Sequence, residues 1–292
     1  MVKSQIFATF VVFFFAHSSQ AQELQFLKLK KYRITRLADA LNETSGLTEI
    51  DGDLISFNDS GNAPDLYIIN PETGEAIRRT TNAKNYDWEA VTNDGKNLYI
   101  GDIGNNMGNR TNLGVYRIPY TEEGALNYDQ YYTFQYARQK ELQPLNRKNN
   151  YDAESMVYHR GHLQIFSKEW QSYDTKHYEL RLDDEKKQSL EPLETYHLGY
   201  LATDATYYNG QLYIIGYTKK AEVYLSVFTE TQPNRFFEAP PKKYYLGMSF
   251  KLGQIEGITA TPKGLYISGE RFKTKISDAK QPLYFLPYHK LK

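Results

Sequence analysis

Five times along this chain a short triplet precedes a turn and then a strand-like run that contains Leu. Ser45-Gly46-Leu47 precedes DGDLISFND, Glu89-Ala90-Val91 precedes DGKNLYIGD, and Glu154-Ser155-Met156 precedes HRGHLQIFSK. Asp204-Ala205-Thr206 precedes NGQLYIIGY, and Glu256-Gly257-Ile258 precedes PKGLYISGE. From the first residue of each triplet to the Leu the spacing is 9, 9, 9, 8 and 9 residues. Successive repeats begin 44, 65, 50 and 52 residues apart. A recurring period of this size predicts an array of one supersecondary unit rather than a single irregular domain.

Each unit holds four strand candidates. The first follows the triplet and the second is the Leu-containing run. The third is centred on Tyr67, Tyr116, Tyr178, Tyr224 or Tyr284, and the fourth lies at 76–80, 131–137, 194–200 or 243–249. The chain's 26 Tyr and 15 Phe suit such strands, because aromatic side chains pack well on a pleated surface. The fifth unit runs out of chain before its fourth strand, while 31–37 (KYRITRL) supplies a spare one ahead of the first unit. A strand donated from the other chain end is the ring closure of a β-propeller, and it leaves few open sheet edges. The expectation is an all-β propeller of five four-stranded blades, at 43–80, 87–137, 152–200, 202–249 and 254–290 plus 31–37. Six blades remain open if the long second unit hides another in its polar stretches 102–114 and 138–150.

Residues 1–21 carry Lys3, an apolar run from Ile6 to Ala16 and the small-x-small site Ser19-Gln20-Ala21, which together predict a signal peptide. The expected mature protein is therefore a single propeller domain, 22–292, exported to the periplasm or beyond. No later segment is apolar for long enough to span a bilayer, so no membrane insertion is expected. With no Cys, the fold rests on its core and not on disulfides. Removing residues 1–21 takes away one Lys and no acid, which leaves a net charge of −1. That balance argues against nucleic acid or an anionic membrane as the main partner. A small anionic substrate or an envelope protein or glycan is expected instead, bound to a monomer.

In a propeller the first strand of each blade lines the central channel. Glu89, Glu154, Asp204 and Glu256 would then face one another, with Ser45 as the fifth member and Glu43, Asp87 and Asp152 as a second tier. At ~8 Å and an effective dielectric of ~20 each carboxylate pair repels by roughly 2 kcal/mol, so the ring needs compensation. A bound cation, raised pKa values or salt bridges would each supply it. Oxygen-only ligands suit Ca²⁺. The alternative is that these acids bond neighbouring backbone N–H groups as blade-to-blade struts. The second strands end in polar clusters on the same face: Asn58-Asp59-Ser60-Gly61, Asp102-Ile103-Gly104-Asn105-Asn106, Ser167-Lys168-Glu169-Trp170 and Glu270-Arg271. Arg110, Lys168 and Arg271 would surround the mouth as partners for an anion. His159 and His162 fall in a turn, where zinc is a weaker reading than a plain surface loop.

The stretches ETSGL, NDSGNAPDLYIIN, DWEAV, LYIGDIGNN, DAESM and IEGI resemble a group of exported bacterial propellers described as phytase-like, or esterase-like-phytase, over nearly the whole mature chain. Secreted propeller phytases are six-bladed calcium enzymes with Lys and Arg clamping phosphates, and a count of five departs from that. A looser resemblance is to the calcium-activated nucleotidases (apyrases), five-bladed with calcium in the channel. Lys168-Glu169-Trp170 and the acids Glu89, Glu154 and Glu256 carry it. The resemblance implies a calcium-dependent phosphohydrolase, with Arg110, Lys168 or Arg271 holding phosphoryl oxygens and Asp102 or Glu89 orienting water. Two other classes stay open: a non-catalytic protein- or glycan-binding propeller pinned by calcium, and a propeller glycosidase using two of the acids.

Overall fold

A computed structural model describes residues 23–140, 143–184, 186–274 and 278–291; the expected signal peptide lies outside them. Five four-stranded antiparallel sheets stand side by side. The first is Thr44–Ile50, Asp53–Asn58, Asp65–Ile69 and Ala76–Thr80. The second is Trp88–Asn93, Asn97–Asp102, Leu113–Pro119 and Gln130–Tyr136. The third is Asp152–His159, His162–Lys168, Asp174–Arg181 and Glu194–His197. The fourth is Leu201–Tyr208, Gln211–Tyr217, Glu222–Thr229 and Lys242–Met248. The fifth is Gln254–Thr261, Gly264–Glu270 and Pro282–Pro287, completed by Arg33–Arg36 from the other end of the chain. The first strands touch in the order of the blades, and the fifth touches the first, which closes the ring. This is a five-bladed β-propeller.

There is no sixth blade among the described residues. The stretches 103–112, 138–140 and 143–150 are loops on the face where the first strands begin. Two short strands escaped the sequence reading: Leu24–Phe26 adds parallel to the outer strand of the fourth blade, and Gln188–Leu190 adds parallel to that of the second. Each is three residues long, too short to show an alternating pattern. Each covers an edge that would otherwise offer free backbone groups.

The core lies between blades. The first strands are buried on almost every residue because both of their faces meet a neighbour. Leu225, Tyr244, Ile258, Ile267, Tyr284 and Leu286 fill the wedge between the fourth and fifth blades. Trp88 is fully buried and meets Phe57 of the first blade edge-on at 5.7 Å. Among the described residues no helix is long and apolar enough to cross a membrane.

Candidate functional site

The first strands do not run straight into the channel. The antiparallel register slips between Trp88 and Ala90, between Ala153 and Ser155, and between Ile255 and Gly257. Glu89, Glu154 and Glu256 are therefore the extra residues of three β-bulges, and a bulge re-aims a side chain out of the sheet's ordinary alternation. All three turn into one small well at the channel mouth, with Asp59 and Glu270 from the ends of second strands and Lys168 between them. The well holds about 80 Å³.

Asp204 does something else. In its blade the slip falls between Ala202 and Asp204, so Thr203 is the bulged residue. Thr203 lies 9 residues before Leu212, the spacing that the glutamates keep, whereas Asp204 lies 8 before it. The Asp204 carboxylate accepts N–H groups of Ile258 (2.7 Å), Leu47 (3.3 Å) and its neighbour Ala205 (2.8 Å). It ties three blades together as a strut and does not line the well. Asp152 is a second strut, accepting from Asn105 N (2.6 Å), Ala153 N (3.1 Å) and Trp170 Nε1 (2.7 Å). Glu43 is exposed and receives Asn62 Nδ2 at 2.8 Å.

Asp87 does join the acids. One carboxylate oxygen each from Asp59, Asp87 and Glu89 lies within 4.8 Å of the others. Ligands 2.3–2.6 Å from a shared calcium ion stand at most about 5 Å apart, so this spread fits one ion. The backbone at Gly104 makes room for them. A Cβ there would sit 2.5 Å from the Asp87 carboxyl and 2.7 Å from Glu89 Oε1, so a larger residue would force the carboxylates or the Asp102–Asn106 loop to shift.

The charges are unbalanced. Lys168 is buried against Glu154, with its ammonium 4.9 Å from the Trp170 ring and 5.4 Å from the Tyr217 ring. Burial alone would lower it, but Glu154, Tyr217 and Glu256 hold it well above the ordinary lysine value. One ammonium cannot serve six acids. Burial, with Asp59 and Asp152 nearby, pushes Asp87 up to about 6. Burial pushes Glu256 to about 7, and burial with Glu256 and Asp59 pushes Glu270 to about 9. Glu89 is raised well above the carboxylate range, first by burial and then by Glu154 and the other acids around it. A divalent ion bound here would have to displace these protons, because a ligating carboxylate is ionised.

The other expected cations stand elsewhere. Arg110 bonds Asp102 Oδ1 (2.8 Å) and the Gly104 carbonyl (2.6 Å), and lies 4.0 Å from Asp87. Asp102 also accepts the Asp87 N–H at 3.0 Å. Both residues therefore hold the Asp102–Asn106 loop in place from behind the well. Arg271 forms a half-exposed pair with Asp278 at 2.7 Å. A second cation that reaches the well beside Lys168, unforeseen in the sequence, is Arg147, whose guanidinium lies 4.9 Å from the Trp170 ring. His159 pairs with Glu230 (3.0 Å) while His162 accepts the Leu182 N–H (3.4 Å), so the two do not converge on one ion.

Neither a protein-family model nor a curated protein matches this sequence. Solved structures do match in shape. An exo-β-1,3-galactanase from Clostridium thermocellum is 15% identical with a TM-score of 0.54, over 88% of this chain and 62% of that one. The PQQ-bound aldose sugar dehydrogenase of Streptomyces coelicolor is 10% identical with a TM-score of 0.53, over 87% and 97%. A GH43 β-1,3-galactosidase with galactodeoxynojirimycin is 12% identical with a TM-score of 0.52, over 87% and 93%. These neighbours are β-propeller enzymes. At such identities the likeness is one of fold.

Proposed function

We propose that this protein is an exported calcium-binding propeller that hydrolyses a small phosphoester at its channel mouth. The observation that carries the reading is the convergence of Asp59, Asp87 and Glu89 within 4.8 Å at the edge of the acid well, which Asp59 and Glu89 line. The well is small, about 80 Å³, and is lined by five carboxylates along with Lys168 and Arg147, which suits an ion better than a sugar ring. That size is why the glycosidase reading stands behind.

Asp59, Asp87 and Glu89 would hold Ca²⁺, with Gly104 keeping the backbone clear of them. The ion would neutralise charge on phosphoryl oxygens. Lys168 stays charged and adds a fixed positive group beneath the mouth. Glu256 lines the same well and would take a proton from the attacking water. Glu270, in the same well, would carry the proton given to the leaving alkoxide. The bond from water oxygen to phosphorus forms as the bond from phosphorus to the alkoxide breaks. The signal-like residues 1–21 support export, and the resemblance of DWEAV and LYIGDIGNN to phytase-like propellers supports the substrate class.

The test is thermal unfolding of residues 22–292 with excess Ca²⁺ and with a chelator, metal analysis of the purified protein, and a phosphoester screen. A ligand at 100 times its Kd stabilises the native state by about 2.7 kcal/mol, so a clear rise in Tm with Ca²⁺ is expected, together with calcium-dependent turnover. No metal and no shift would end the reading. A shift without turnover on any phosphoester would reduce it to a binding propeller pinned by calcium.

A further inference from the structure

Beside the acid well lies a larger cavity of about 460 Å³. Segment 145–149 contributes to both: Arg147 lines the well, while Lys148 lines the cavity. Trp170 lines the well and the next residue, Gln171, lines the cavity. The two therefore open side by side on the loop face of the second and third blades.

The cavity has the opposite charge to the well. Among the described residues Arg138, Lys140, Lys148 and Lys176 line it and no acid does. Arg138 is paired with Glu191 at 2.8 Å and Lys176 with Glu169 at 2.6 Å. Lys140 and Lys148 have no acidic partner among the described residues. Tyr151 and Tyr178 give it an aromatic wall, with the Tyr151 hydroxyl donating to the Arg138 carbonyl at 2.8 Å. The chain as a whole is neutral, so this local excess is a matter of placement and not of composition. A volume above about 300 Å³ falls in the range of small-molecule sites.

We infer that this cavity binds the oxyanion of a phosphorylated or sulfated small molecule, with Lys140 and Lys148 as its charged contacts and Tyr151 and Tyr178 facing the organic part. Cations on separate segments converge on a tetrahedral oxyanion from different sides, and the charge-assisted bonds are strong for their number. The binding claim stands on the cavity alone. Its meaning as the anchor of a substrate whose phosphoester reaches the well rests on the calcium-hydrolase reading.

The experiment titrates inorganic phosphate and, separately, inorganic sulfate into residues 22–292 by calorimetry, with chelator present throughout. Saturable binding of at least one anion is expected, weakened about tenfold or more in Lys140→Ala/Lys148→Ala. The remote Lys30→Ala/Lys31→Ala variant should bind as the parent does. Binding of phosphate alone assigns a phosphoester ligand, of sulfate alone a sulfate ester, and of both the shared oxyanion chemistry. Absence of binding for both anions, or equal affinity in the Lys140→Ala/Lys148→Ala protein, would overturn the proposal. Failure of the calcium reading is separable, because it would leave anion binding in chelator intact while abolishing any calcium-dependent Tm shift.

Discussion

The Lys168 ammonium lies against the Glu154 carboxylate with only 4% and 6% of the two side chains exposed, at the centre of a group of five further acids. Removing one member of a buried pair leaves the other uncompensated, which costs about 3–5 kcal/mol. Lys168→Ala should lose stability of that order in chelator, measured by urea unfolding. Added Ca²⁺ should restore part of the loss, because the ion would take over the neutralising role. A change below about 1 kcal/mol would mean that the pair is screened and not structural.

Asp204 is the acid with a structural task. Asp204→Ala strips the partner from three backbone N–H groups in separate strands, at an expected cost of about 3 kcal/mol. Calcium affinity should stay within about twofold of the parent, since a twofold change is only ~0.4 kcal/mol. Equilibrium unfolding and calcium titration on the same preparation check both halves. A large loss of calcium affinity would place Asp204 among the ligands after all.

Gly104 is tested by the smallest available change. Gly104→Ala adds one carbon that would meet Asp87 and Glu89 within 2.7 Å. The carboxylates or the loop must shift, so calcium should bind about tenfold more weakly, equivalent to ~1.4 kcal/mol. The far-ultraviolet spectrum should not change. Unaltered affinity would show that the loop can retreat without disturbing the acids.

The pH response of the metal-free protein follows from the raised acids. A carboxyl whose native pKa lies above its unfolded value binds protons preferentially in the native state. Its contribution is fully present below the unfolded value, near 4, and is lost as pH rises through the native value. Here the native values of Asp87, Glu256 and Glu270 are about 6, 7 and 9. In chelator, Tm should therefore fall steadily from pH 5 to pH 9. With Ca²⁺ the fall should flatten, because the ion favours the ionised acids. A flat profile in chelator would mean that these carboxyls are already neutralised by other means.

Much of the ring was legible because the channel strand recurs with a fixed distance to the Leu of the next strand. That distance is set by one short turn and is independent of the rest of the chain. Closure by Arg33–Arg36 was legible because a four-stranded unit short by one strand has to find it elsewhere. The spacing of 8 in the fourth repeat also carried information. It marked Thr203, and not Asp204, as the counterpart of the glutamates, and a strict count of the spacing would have found it.

The site itself was only partly legible. Acids at strand starts look alike in a sequence whether they point into a channel or back onto backbone N–H groups. A one-residue shift in the bulge decides between the two, because alternate residues of a strand point to opposite faces. Asp59 and Glu270 were visible as residues ending second strands, but their partners come from other blades. Arg110 and Arg271 looked free because the acids that take them up, Asp102, Asp87 and Asp278, are brought to them by loops. Sequence by itself determined a ring of four-stranded blades, the closing strand and the face on which charge collects, since all three follow from local periodicity. The choice of five over six came from the structure, where 103–112, 138–140 and 143–150 form no blade. Only the tertiary structure decided which carboxylates meet, because their separation depends on the closure of the whole ring and not on any one repeat.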